Sequence, residues 1–342
     1  MINKIKLRDR SFIELLLLIV FFAYPFLIGG FYLNLGTKIL LLSVFALSLD
    51  LIWGFGRLFS FGHAIFFGWG AYATALYSFR ELFSLYYHGT IITHPIDVTP
   101  VEPTLLAFFF SFAIPCLIAL IIGYFLFYGR RGGIGGVYFA IITLAISFIS
   151  EQLAISWVPI LGGFNGIPNI PPLRITSTII AAGGRLYYFI AFGFLLLTYL
   201  FIKYLVNSRL GLVLKCVGEN EDRVIFLGYN TGKIKLIVFS LAGGIAGLSG
   251  GLYVPLEGFV APPLVGFLFS TSVLLWVAVG GRGTLVGAVI GTIFISMLET
   301  LLSGYFLKFW LFMLGGLLLI TIMAFPGGIM GYLVKKNSTN NG

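Results

Sequence analysis

Apolar residues dominate the chain in long runs that are interrupted by short polar stretches. Ten segments approach the ~20 mostly apolar residues that an α-helix needs to cross a bilayer. The pattern therefore predicts an all-α polytopic membrane protein with about ten transmembrane or partly spanning helices. These segments lie at roughly 12–33, 38–56, 60–79, 104–128, 134–157, 184–206, 234–254, 264–281, 284–303 and 306–326. A Gly-Arg-Gly corner alone separates the eighth from the ninth, so these two are also compatible with a hairpin that does not fully cross.

The composition excludes a soluble globular protein. Only 10% of the 342 residues are charged, 59% are hydrophobic, and the mean hydropathy is +1.05. A soluble domain carries about 25% charged residues, so the solvent of this chain must be largely lipid. We expect a single membrane domain over residues 1–342. The first apolar run shows no small-residue cleavage pattern, which favours an uncleaved first span.

The basic residues are distributed unevenly between the two sides of the predicted bundle. With the N-terminus in the cytoplasm, sixteen of the 21 Lys and Arg residues fall on the inner side. Inner loops of membrane proteins are enriched in these residues, so both termini are predicted to be cytoplasmic. The net charge of +9 is thereby explained by topology, and no nucleic-acid partner is expected.

The inner loop at 207–233 is the one long charge-rich segment between apolar runs. Ser208 is predicted to cap a helix over 209–217, which Gly218 interrupts. Asn220 is predicted to cap a second helix over 221–227, with Gly228 as its left-handed C-terminal residue.

The second short helix carries an apolar stripe of Val224 and Leu227, with Phe226 beside it. One interpretation is a helix that lies along the membrane surface and inserts into a cleft of a cytoplasmic partner. The other is an ordinary interfacial connector. The residues alone leave both open.

Five segments together carry a resemblance to a known family. In chain order they are SFGHAIFFGWGAYATA (Ser60–Ala75), VYFAIITLA (Val137–Ala145), GGFNGI (Gly162–Ile167), ENEDRVIFLGYN (Glu219–Asn230) and WVAVGGRGTLVGAVIG (Trp276–Gly291). The chain resembles the permeases of branched-chain amino acid and urea ABC importers, in particular their second, LivM-like subunit. Tyr253–Pro255 and WVAVGGRGT are more similar to the urea type. Gly218 departs from the pattern, because relatives often have Arg there.

The resemblance implies partners and a role for this chain in an importer of the bacterial or archaeal cell inner (plasma) membrane. The implied partners are a homologous second permease, two cytoplasmic ABC ATPase subunits that bind ATP and Mg, and an extracytoplasmic solute-binding protein. The chain lacks a GxxxxGK[ST] motif, so it is expected to bind no cofactor and to be no enzyme. The preferred solute is urea or a short-chain amide, with a branched-chain amino acid as the alternative. The residues implied to couple to the ATPase are Glu219, Asn220, Glu221, Asp222, Arg223, Leu227, Gly228 and Tyr229.

Ionisable residues within the spans are few, and such residues usually face protein or a water-filled path. They are Asp50, His63, Glu151 and Glu299. We predict a translocation pathway that includes Phe61, His63, Glu151, Asn165 and Trp276. For His63 the alternative is a structural hydrogen bond, and for Asn165 it is a surface turn instead of an outer gate.

Two other functional classes stay open at this point. An ion-coupled secondary transporter would use intramembrane acids as proton relays, but these acids are scattered and unpaired in sequence. A membrane enzyme lacks support from any nucleophile–base pair. His88 and His94, in the polar loop 80–103, favour a metal only weakly, so no metal site is predicted. Gly243, Gly247 and Gly251 recur every four residues, which predicts close helix packing.

Overall fold

The computed structural model describes residues 2–78, 104–128, 133–175 and 178–305, together with isolated positions between 312 and 330. The polar loop 80–103 and most of the tenth predicted segment, 306–326, lie outside the described residues. The helices are α1 (Ile2–Leu27), α2 (Phe31–Asp50, continued by a π-helical turn at Leu51–Phe55), α3 (Ala64–Ser78), α4 (Thr104–Phe127), α5 (Gly136–Ser156), α6 (Val158–Leu161), α7 (Arg185–Asn207), α8 (Arg209–Glu219), α9 (Glu221–Phe226), α10 (Thr231–Glu257), α11 (Phe267–Gly280) and α12 (Leu285–Tyr305). A two-stranded antiparallel hairpin pairs β1 (Arg174–Ile175) with β2 (Thr178–Ile179).

The helical architecture confirms the predicted all-α polytopic membrane fold. Six helices in the described part of the chain are long and apolar enough to cross a membrane. Helix α11 is shorter: its 14 residues span about 21 Å, less than the ~30 Å of a hydrocarbon core. It packs against α12 through glycines, since a Cβ on Gly280 would collide with the backbone of Gly287. The pair therefore forms a tight hairpin whose first helix is, by itself, shorter than the hydrocarbon core.

The predicted first boundary is wrong. The sequence pattern placed one span over 12–33, but α1 ends at Leu27 and α2 begins at Phe31. Gly30 lies between them with φ of 61°, a left-handed conformation that glycine adopts without steric cost. Glycine does not interrupt an apolar run on a hydropathy scale, so the break is invisible in the hydrophobic pattern.

Helix α10 lies at the centre of the fold and packs against α2, α3 and α4. Its glycine stripe faces α4: a Cβ on Gly243 would lie 2.6 Å from the Cβ of Ala119, and one on Gly251 would lie 2.5 Å from Ser111 Oγ. Two helices can approach this closely only where side chains are absent. The predicted packing role of these glycines is confirmed.

Ion pairs mark the two ends of the bundle. Near the start of α2, Lys38 Nζ lies 2.9 Å from Glu257 Oε1 at the end of α10, so α2 and α10 run antiparallel. The turn after α6 lies at this same end, because Ile170 N donates a hydrogen bond to Gly258 O at 2.8 Å. The charge-rich loop between α7 and α10 lies at the opposite end. This arrangement matches the sidedness that the Lys and Arg distribution predicts.

Candidate functional site

The charge-rich loop folds into an elbow of two short helices, residues 208–230. Ser208 caps α8 by accepting a hydrogen bond from Gly211 N at 3.4 Å, and Asn220 caps α9 by accepting one from Arg223 N at 3.0 Å. Gly228 follows α9 with φ of 86°. All three local predictions are confirmed, because each depends on hydrogen-bond or backbone chemistry within a few residues.

The prediction that Gly218 interrupts the first helix is wrong. Helix α8 continues through Gly218 to Glu219, and the break occurs at Asn220, whose backbone is extended. Gly218 faces the corner after α2: a Cβ there would lie 3.1 Å from Phe55 O and 3.2 Å from Arg57 Cγ. The glycine is therefore explained by this close approach.

The two acids that flank Asn220 are held by bases from other elements. Arg57 Nη2 lies 2.5 Å from Glu219 Oε1, and both side chains are well exposed. Lys235 Nζ on α10 lies 2.6 Å from Glu221 Oε2, and the Lys235 side chain is only 2% exposed. Relatives often have Arg at position 218, beside the acidic run, whereas this chain has glycine there. In this chain Arg57, from the α2–α3 corner, supplies a positive charge beside the acidic run.

The remaining predicted coupling residues point outward. Asp222, Arg223, Leu227, Gly228 and Tyr229 are all exposed. The predicted apolar stripe does not form one continuous face, because Val224 is buried whereas Phe226 and Leu227 are exposed. Phe226 is 91% exposed and Leu227 is 75% exposed; we call this pair the apolar tip. Phe226 is not among the coupling residues predicted from the sequence, although its place beside the apolar stripe could have identified it.

Two predicted pathway residues lie in one aromatic cluster around Phe45. The His63 ring stacks on Phe45 at 5.5 Å with an interplanar angle of 3°, and Trp276 meets the same ring edge-on at 6.4 Å. His63 Nε2 lies 2.8 Å from Ser48 Oγ, whose hydroxyl donates to Phe45 O at 2.7 Å. Both His63 and Trp276 are buried. These contacts support the structural alternative for His63 and leave its pathway role as a prediction.

The other predicted pathway residues lie apart from this cluster. Phe61 contacts Phe267 at the start of α11, with ring centroids 5.6 Å apart. Glu151 on α5 packs against Gly266, which precedes Phe267. A Cβ on Gly266 would lie 2.7 Å from the carboxyl carbon of Glu151. Asn165 is exposed in a 3-10 turn at the end of the bundle opposite the elbow. The structure thus brings Phe61 and Glu151 near the start of α11.

Asp50, the last residue of α2, joins this helix to the Gly-Arg-Gly corner between α11 and α12. Gly283 N, in the corner between α11 and α12, donates a hydrogen bond to Asp50 Oδ1 at 2.6 Å. Gly54, in the turn after α2, lies against the same glycine, with Gly54 O 3.2 Å from where a Gly283 Cβ would stand. This buried carboxylate therefore fastens the elbow side of α2 to the α11–α12 hairpin.

Comparison with known proteins identifies the family. Residues 31–322 match the family described as the permease component of branched-chain amino acid transport systems. The chain belongs to this family. The permease is similar over 348 residues to the high-affinity branched-chain amino acid transport permease LivM of Escherichia coli K12, with 26% identity that covers 95% of this chain and 76% of the relative. No solved structure matches the permease.

Other relatives cover smaller parts of the permease. The probable branched-chain amino acid transport permease LivM of Methanocaldococcus jannaschii is 27% identical over 207 residues, which cover 56% of this chain and 59% of the relative. The permease LivH of Salmonella typhimurium is 26% identical over 169 residues, which cover 49% of this chain and 54% of the relative. The family resemblance inferred from the five sequence segments is therefore confirmed.

The residues that suggested a urea-type permease are packing residues in the structure. Tyr253 is buried beneath Lys38, whose Nζ lies 5.5 Å from the centre of its ring. Trp276 is buried against Phe45 and Phe269. These contacts give both residues a role in helix packing, and the urea-type specificity that they suggested stays a prediction.

Proposed function

We propose that this permease is one membrane-spanning subunit of an ATP-driven ABC importer and that it carries a branched-chain amino acid across the cytoplasmic membrane by alternating access. The names of the relatives from Escherichia coli and Methanocaldococcus jannaschii support this solute. Urea or a short-chain amide is the alternative that the Tyr253–Pro255 segment suggested.

The apolar tip is the observation that carries the coupling part of this proposal. Phe226 and Leu227 project from the end of a capped helix on the side where Lys and Arg accumulate. Burying one such side chain contributes about 1.5–3 kcal/mol, so the pair offers a strong anchor to a cytoplasmic cleft. Exposed apolar patches rimmed by polar residues mark sites of interaction with proteins or membranes. We assign the cleft to an ABC ATPase, which binds the ATP and Mg that this chain has no motif to hold.

The elbow is built to transmit movement. Its two N-caps stabilise the short helices themselves, and the Glu219–Arg57 and Glu221–Lys235 pairs tie the elbow to the α2–α3 corner and to α10. When two ATPase subunits close on ATP, a displaced tip moves these helices with it as a rigid body. The solute is then handed from an extracytoplasmic binding protein to a cavity between this chain and a homologous permease, and is released inward.

Substituting the apolar tip tests the docking assignment. We expect Phe226→Ser/Leu227→Ser to abolish ATPase co-purification and solute uptake while the chain stays folded, because neither side chain packs in the core. Leu212→Ser is the matched control, since Leu212 is an exposed leucine on α8 outside the tip. Normal ATPase assembly in the tip variant would remove the basis of this proposal. The tip is a cleaner target than Glu221, whose loss also breaks a contact within the chain.

The solute requires a separate experiment with the assembled complex. Proteoliposomes that contain both permeases and both ATPases, supplied with the binding protein and ATP, should accumulate labelled leucine and not urea. Urea uptake would favour the alternative solute without affecting the coupling assignment. Uptake by this chain alone, driven by an ion gradient without ATPase subunits, would instead indicate an ion-coupled secondary transporter.

A further inference from the structure

A groove on the outside of the bundle lies between α1, α7 and α12. It has a volume of about 280 Å³, many times the ~30 Å³ share of a single water molecule in the liquid. Its walls are almost entirely apolar, and water has few hydrogen-bond partners there. Residues that line it are Leu15, Leu18, Leu196, Leu200, Val286 and Val289.

The two ends of this groove differ in chemistry. Its mid-membrane end is closed by aromatic contacts between α1 and α7: Phe21 meets Phe192 with ring centroids 6.3 Å apart. At its inner end, Glu14 Oε1 accepts a hydrogen bond from Tyr199 at 2.8 Å, and Glu14 Oε2 accepts one from Lys203 at 2.6 Å. Between these two sets of contacts the groove is lined by apolar side chains, and a polar cluster lies at its inner end. We call this apolar part of the groove the slot.

The length of the slot matches one leaflet of a bilayer. Phe192 and Lys203 lie eleven residues apart on α7, which corresponds to about 16 Å along the helix. Half of a ~30 Å hydrocarbon core is about 15 Å. Lys203 lies one turn before the inner end of α7 at Asn207, which is the level of the phosphate groups of the inner leaflet.

The charge at the inner mouth favours an anionic headgroup. Lys203 is 43% exposed and its partner Glu14 is 27% exposed, so the ammonium is the more accessible member of the pair. Bases outnumber acids on the helix ends nearby. In the sequence, the segment before Glu14 carries Lys4, Lys6, Arg8 and Arg10 against the single acid Asp9, and Arg209 follows two residues after the end of α7.

From these features we propose that the groove is a binding site for one anionic glycerophospholipid of the inner leaflet. One acyl chain lies along α7 from Lys203 to Phe192, and the phosphate meets the ammonium of Lys203. Long basic side chains near the inner surface attract anionic lipids, and the apolar slot supplies the contact area for the chain.

Photolabelling of the full chain in vesicles tests the site. The probe is phosphatidylglycerol with a photoactivatable group in the acyl chain, and labelled peptides are mapped by mass spectrometry. We expect the label to concentrate on peptides that contain Leu18, Leu196 and Val289, and unlabelled phosphatidylglycerol to compete several-fold better than phosphatidylcholine. Uniform labelling of all lipid-facing helices, equal competition by both lipids, or protection of the groove only by a co-purified protein subunit would overturn the proposal.

Variants at adjacent positions separate the site from general lipid contact. Leu196→Trp fills the groove and should remove most of the groove labelling. Leu197→Trp is the matched control, because Leu197 is exposed on the same helix outside the groove lining, and it should leave the labelling unchanged. Lys203→Gln tests the headgroup contact without filling the slot, and it should abolish the preference for phosphatidylglycerol. A preference that survives Lys203→Gln would contradict the assigned headgroup contact.

Discussion

The buried ammonium of Lys235 lies 2.6 Å from the carboxylate of Glu221. Lys235 belongs to the central helix α10, whereas Glu221 opens the short helix α9, so this pair fastens the elbow to the core of the bundle. The ring of Phe127 lies 5.7 Å from the same ammonium. A charge in such a position is stable only while it is paired.

Removing Glu221 should therefore destabilise the elbow. We expect Glu221→Ala to cost on the order of 2–3 kcal/mol, because it removes a carboxylate that lies 2.6 Å from a buried ammonium. Glu219→Ala is the matched control: its pair with Arg57 is exposed, and such pairs contribute about 0–1 kcal/mol. Denaturation of the purified chain measures the loss in free energy of unfolding for both variants. Limited proteolysis of the folded chain measures how readily the elbow opens. Equal effects of the two substitutions would contradict the buried character of the Lys235 pair.

Replacing Gly218 with a residue that has a large side chain should destabilise the chain. We expect Gly218→Arg to destabilise the chain by about 1–3 kcal/mol, because the added side chain overpacks against Phe55 O and Arg57. Cys216→Arg places the same side chain on an exposed position of the same helix and should be nearly neutral. Thermal unfolding of the two variants provides the comparison. Equal unfolding temperatures for Gly218→Arg and Cys216→Arg would contradict this prediction, because they would show that the α2–α3 corner rearranges at little cost.

Ser48 should matter more than a neighbouring serine of the same helix. Both Ser43 and Ser48 are buried on α2 and donate to a carbonyl of the preceding turn, but Ser48 also contacts His63. Ser48→Ala leaves a buried imidazole nitrogen without a partner, at a cost of about 1–3 kcal/mol. Ser43→Ala loses only the local bond. A larger unfolding shift for Ser43→Ala than for Ser48→Ala would argue against the His63 hydrogen bond.

Two helical glycines, one in the glycine stripe of α10 and one on α7, should respond to alanine in opposite directions. Gly247→Ala forces a methyl group against Ser111 O and Pro115, so we expect a loss of about 1–3 kcal/mol. Gly193 lies on α7 with no neighbouring atom within 4 Å of an added Cβ. Gly193→Ala should instead be neutral or stabilising by up to about 1 kcal/mol, the helix propensity difference between the two residues. Thermal unfolding of both variants in the same detergent distinguishes packing from propensity.

Sequence reasoning succeeded where the decisive interactions are local. The caps at Ser208 and Asn220 and the left-handed Gly228 depend on atoms within a few residues, and all three are present. It failed at Gly218, because a partner 162 residues before Glu219 in the chain, Arg57, sets what fits beside α8. No sequence spacing indicates that approach.

The candidate pathway shows the same limit. The pattern correctly selected His63 and Trp276 as unusual residues within apolar spans, but it could not show that both pack on one ring. The Phe45 contacts arise from α2, α3 and α11 meeting in space. In the proposed importer the solute also meets a second permease, so the role of both residues in transport stays a prediction.

The apolar tip also has a consequence for how the cell handles this chain. A copy that has entered the membrane without the proposed ATPase presents Phe226 and Leu227 to water, and exposed apolar side chains of this kind are bound by chaperones and proteases. We expect unassembled copies to be degraded faster than assembled ones. The contact that would drive transport would then also match the abundance of this subunit to that of its partner.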